Sequence, residues 1–216
     1  MASLSHVYQG IVVPLSILIP IAAAIYTREI NGVLKTIFIY ILFAGIINII
    51  AAFMAFNYIN NLPLLHIYTI LELVLLLRFF SRILINKEVL KVINIIKWVF
   101  PLMCIINFSF FESIYTFNSY TRPLEAIIII VLCMMHIKDS EELFSQNANK
   151  IKYEIWISIG LLIYFSGSFF QFTFSNYISH LASRAIKSLI WNLHATLVLL
   201  MYILFTKAFV RAKINR

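Results

Sequence analysis

Seven apolar runs, separated by short polar connections, make up most of this sequence; they lie near 11–27, 34–56, 62–82, 90–110, 123–137, 155–174 and 186–209. An α-helix needs about 20 apolar residues to cross the hydrocarbon core of a bilayer, and it satisfies its own backbone polar groups there. Runs of this length predict an all-α, polytopic membrane protein, with one bundle of seven transmembrane helices over residues 1–216. Composition agrees. The chain is 62% hydrophobic and only 12% charged, where a soluble domain carries about 25% charged residues. Its apolar surface therefore calls for lipid as solvent.

The basic residues predict an orientation. The connections after spans one, three and five, together with the C-terminal tail, hold Arg28, Lys35, Arg78, Arg82, Lys87, Lys91, Lys138, Lys150, Lys152, Lys207, Arg211, Lys213 and Arg216. The opposite side holds Arg122, Arg184 and Lys187. Lys97, just inside the fourth span, can snorkel to the basic side. Cytoplasmic loops carry the excess of Lys and Arg, so the N-terminus is expected outside and the C-terminus in the cytoplasm, in a bacterial inner membrane. The same distribution accounts for the net charge of +8 without nucleic acid. No Lys or Arg precedes the first run, so it reads as a retained span rather than a secretory signal, bent by Pro14 and Pro20. In the connection 138–153, Asp139 and Ser140 followed by Glu141 and Glu142 predict a short surface helix.

The third run, LPLLHIYTILELVLLLRFFSRIL over 62–84, carries Glu72 near its middle. An acidic side chain at the centre of a membrane helix costs about 3 kcal/mol or more, so it needs a partner or water. With the orientation above, the inner half of the bundle reads as mostly apolar and the outer half as polar. The outer half holds Asn48, His66, Tyr68, Glu72, Arg122, Glu125, Tyr164, Gln171, Trp191 and His194. Tyr68 and Glu72 are four apart, Arg122 and Glu125 three apart, and Gly160, Tyr164, Gly167 and Gln171 share one helix stripe. Intramembrane polar groups face the bundle interior. These ten residues are therefore expected to converge on an outward-facing ligand cavity with its floor near Glu72 and an apolar plug beneath.

Motifs for catalysis are missing from the sequence. No HxxxH or HExxH pair, Gly-rich phosphate loop or suggestive Ser/His/Asp set occurs, and no catalytic residue, metal ligand or cofactor is assigned. His66, Glu72 and His194 are the one combination that could form a three-ligand zinc site in an intramembrane lipid hydrolase. Lys187 sits too near the edge of its span for a retinal Schiff base. Cys104 and Cys133 lie in apolar runs, outside any CxxC pair, and read as small apolar residues.

Two stretches, HIYTILELVLLL over 66–77 and IWISIGLLIYFSGSFFQF over 155–172 with its WxxxGxxxYFSG pattern, resemble uncharacterised seven-helix membrane proteins of the Bacteroidota that are paired with sensor histidine kinases. The resemblance implies membrane signal sensing through a separate kinase. Together these features lead to an expected receptor that takes a small molecule or lipid from outside and signals to a cytoplasmic histidine kinase or regulator. The alternatives are a proton-linked transporter using Glu72 and the lipid hydrolase.

Overall fold

The computed structural model describes residues 4–28, 30, 32–146 and 153–214. The described residues form helices and no strand, with seven long helices in sequence order. They are α1 (Tyr8–Thr27), α2 (Gly32–Phe56), α3 (Leu62–Ile83), α4 (Lys87–Phe110), α5 (Thr121–Gln146), α6 (Glu154–Leu181) and α7 (Arg184–Ile214). Six of these, all but α5, are long and apolar enough to cross a membrane. In α5, Arg122, Glu125, Lys138 and Asp139 flank a shorter apolar centre. Exposed large apolar side chains run along the helix exteriors, among them Ile11, Leu15, Ile49, Phe53, Leu102 and Leu189. Apolar patches of that extent are not compatible with water, and the molecule is an integral membrane protein.

Helix α1 follows its prolines. It opens as a π-helical turn, Tyr8–Val12, continues as Val13–Ser16, breaks at Ile17 and resumes over Leu18–Thr27. Pro14 and Pro20 each lack an N–H and crowd the preceding turn, which locally widens or interrupts the hydrogen-bond ladder. Helix α4 begins under Asn86, whose side chain accepts from Glu88 N at 2.9 Å. Helix α5 differs from expectation. Residues 139–146 continue it instead of starting a new surface helix. No Gly or Pro interrupts the chain there, so nothing forces Asp139 or Ser140 out of helical geometry into a cap. The rest of that connection, including Lys150 and Lys152, lies outside the described residues, as does Arg216.

Around the bundle, α1 packs on α2, α2 on α3, α3 on α5, α5 on α6, α6 on α7, and α7 back on α1. Helix α4 stands outside this ring against α3 and α5. One end of the ring is a dense apolar core. Leu73, Leu76, Leu77, Phe79 and Phe80 of α3 are fully buried there, with Ile37 and Ile41 of α2 and Phe205 and Phe209 of α7. The other end holds the polar residues.

Candidate functional site

Glu72 is met by three side chains. It is only 1% exposed. The hydroxyls of Tyr40 and Tyr68 donate to Oε1 at 2.7 and 2.9 Å. The Arg122 guanidinium bonds Oε2 through Nη1, and the same Nη1 donates to Glu125 Oε2 at 2.7 Å. Arg122 Nη2 donates to the Tyr164 hydroxyl at 3.3 Å. Its carbon also lies 4.8 Å from the centre of the Phe172 ring and 5.4 Å from that of Tyr68, within range of cation–π attraction. The centre of this cluster is thus two carboxylates sharing one guanidinium. Among the described residues, Glu125 Oε1 has no hydrogen-bond partner.

Local sequence explains how these groups meet. Tyr68 reaches Glu72 because residues four apart lie on one helix face, and Arg122 reaches Glu125 across three. Arg122 sits in the first turn of α5, where Pro123 is tolerated because its missing N–H is not needed. The end of the preceding connection and the start of α5 are drawn into the bundle: Asn118, Thr121 and Arg122 are all buried. Asn118 Oδ1 accepts from the Thr121 hydroxyl at 2.6 Å and from its N–H at 3.2 Å.

Above the cluster is a cavity of about 480 Å³. Asn48, Tyr68, Arg122, Tyr164, Trp191 and His194 line it, six of the ten residues expected from the sequence. The other four lie elsewhere. Glu72 and Glu125 are held behind the wall by Arg122 and the tyrosines. Gln171 borders a small adjoining space of about 90 Å³ beside Phe172 and Ser175. His66 turns away, its Nε2 lying 3.1 Å from the carbonyl oxygen of Thr116. His194 Nδ1 is 2.9 Å from the Ser168 hydroxyl. The three-ligand grouping of His66, Glu72 and His194 is therefore not formed, because each is committed to a different partner. Among the described residues no group of three or more His, Cys, Asp or Glu side chains is placed to hold a metal ion.

Sequence reasoning missed Tyr40 and Tyr202, which complete the aromatic wall. A tyrosine at mid-span among isoleucines was the available signal for Tyr40. It also missed the network that seats the connection 111–120 over the cavity. Glu112 accepts from Ser119 Oγ at 2.5 Å, Ser119 N at 2.9 Å, Asn107 at 3.1 Å and Asn176 at 3.2 Å. Asn176 in turn bonds both the N–H and the carbonyl of Phe117, at 3.0 and 2.8 Å. The Phe117 ring then lies 5.8 Å from Trp191 and lines the cavity.

No protein-family model, curated protein or solved structure matches this chain.

Proposed function

We propose that the protein is a seven-span membrane receptor, N-terminus outside and C-terminus cytoplasmic, that binds a small molecule or lipid in this cavity and signals through a separate cytoplasmic partner, a histidine kinase or regulator. The observation that carries the reading is a cavity of ligand size walled by aromatic and hydrogen-bonding side chains, with a buried charge cluster as its floor. Ligand sites are typically apolar concavities with a few convergent polar groups. The fully buried core beneath suits a signalling bundle, in which small helix shifts pass to the far side. In this reading α5 is the seventh span, its charges placed at the floor and at the cytoplasmic end. Purification in mild detergent tests it. A cytoplasmic kinase or regulator is expected to copurify, and the protein to show no solute flux in liposomes. Flux without any partner would reject it.

One observation favours a second reading, a proton-linked carrier. Two carboxylates share one guanidinium, and one oxygen of Glu125 is unpartnered among the described residues, which leaves room for an exchangeable proton. Under that reading Glu72→Gln abolishes proton-coupled flux.

A further inference from the structure

A smaller chamber adjoins the cavity beside α1. Every buried residue of α2 precedes Gly45: Leu34, Thr36, Ile37, Tyr40, Ile41 and Ala44. Gly45 meets Ile17 of α1, where a Cβ would lie 3.6 Å from Ile17 Cδ1. Beyond that point the two helices take separate courses. The first half of α1, with the helical turn Leu4–Val7 before it, bonds to α7 instead. Gln9 Nε2 donates to Asn192 Oδ1 at 2.7 Å, Ser5 Oγ to the same oxygen at 3.1 Å, and the Tyr8 and Thr196 hydroxyls are 2.9 Å apart. The corresponding half of α2 is left with an exposed face that includes Asn48.

Between them lies a side chamber of about 240 Å³, bordered by Val13 and Pro14 of α1, Asn48 of α2, and Ala195 and Val198 of α7. Asn48, Trp191, His194, Val198 and Tyr202 border both this chamber and the main cavity, so the two adjoin. The polar floor belongs to the main cavity, the chamber walls are mostly apolar, and Val12 and Leu15, next to Val13 and Pro14 in α1, are exposed.

Charge narrows the occupant. The floor combines two carboxylates with one guanidinium, and both carboxylates already engage Arg122. A ligand carboxylate or phosphate would add a third anion to a single cation in a low-dielectric site. An uncharged hydroxyl or a protonated amine would not. The Arg122 guanidinium and the Tyr164 hydroxyl remain available as hydrogen-bond donors to a neutral head, because a guanidinium has five N–H groups. Tyr40, Trp191 and Tyr202 offer aromatic faces to a cationic one.

Resting on the receptor reading of this cavity, we infer that its ligand is a long-chain amphiphile whose head carries no negative charge. The head sits on the Arg122–Tyr164 floor, and the tail runs through the side chamber between α1, α2 and α7 into the bilayer.

Photolabelling of the full chain in nanodiscs tests this. The probes are a long-chain alkyl amine, alcohol and carboxylate of equal length, each with a diazirine on the chain, and a short-chain amine and alcohol with the same group. Labelling at exposed Phe53 and Leu102 serves as the reference for bulk lipid contact. The long-chain amine or alcohol is expected to label the segments around Val13, Ala195 and Val198 at least about tenfold above the carboxylate, a discrimination of about 1.4 kcal/mol. Val13→Trp, which fills the side chamber alone, is expected to remove most of that labelling. If that variant does not fold, the comparison of probes on the unmodified chain decides. Equal labelling by the carboxylate, or equal labelling of the chamber by short and long chains, overturns this inference while leaving the cavity a ligand site. No labelling of cavity or chamber by any probe sinks the receptor reading as well.

Discussion

Arg122 is the residue on which the polar half of the bundle depends. It pairs with two buried carboxylates and lies over the Phe172 ring. Removing one member of a buried ion pair costs about 3–5 kcal/mol, because the remaining charge is stranded. Arg122→Leu is therefore expected to lose most monodisperse protein in size-exclusion chromatography after mild heating. Glu72 and Glu125 differ in their bonding. Glu72 uses both oxygens with three donors, whereas Glu125 uses one. Glu72→Gln should lower the detergent melting temperature more than Glu125→Gln; the reverse order would contradict the bonding pattern. Tyr68→Phe loses a single hydrogen bond and should cost about 1 kcal/mol by the same assay. Depth and helix periodicity alone brought six of the cavity residues into view. They could not show which acid Arg122 would serve beyond its own helix, because the Glu72 contact crosses fifty positions of chain. Nor could they find Glu112, whose partners come from three separate segments.

At the scale of the helices, the closest packing is between α6 and α7. A Cβ at Gly160 would meet Leu204 Cβ at 3.3 Å and the Met201 carbonyl at 3.4 Å, so the backbone itself sets the spacing. At Gly167 the obstacle is the end of the Leu197 side chain, at 2.7 Å, which can rotate away. Gly160→Val should therefore destabilise by about 1–3 kcal/mol, and Gly167→Ala by clearly less, in thermal melts of the purified protein. The connection 111–120 should behave as one unit. Glu112→Ala is expected to raise hydrogen exchange across Ser113–Ser119 and leave α3 protected; unchanged exchange there would show that Glu112 does not seat the connection. All seven helices were legible as apolar runs, although the run in α5 is shorter than a membrane span needs. Their ends were less so. Helices α6 and α7 run on to Leu181 and Ile214, through polar turns that no hydropathy pattern marks. The break in α1 is an effect of Pro14 and Pro20 visible in the sequence, but the attachment of its first half to α7 depends on Ser5, Gln9 and Asn192 meeting in space.

For the whole molecule, the apolar core at one end and the polar cavity at the other give the bundle a direction. In the proposed orientation the cavity end faces outside. A reporter fused after Arg216 should be active in the cytoplasm, and an N-terminal tag should be accessible in intact cells; the opposite pattern would place the cavity facing inward and end the receptor proposal. The most direct test of the account is native mass spectrometry of the protein released from its own membrane. The unmodified chain is expected to carry a bound small molecule or lipid that survives delipidation, and Ala51→Trp, which fills the cavity from α2 without touching the charge cluster, is expected to lose it. A bare protein, or an adduct retained equally by the filled variant, would contradict the claim that this cavity is a binding site.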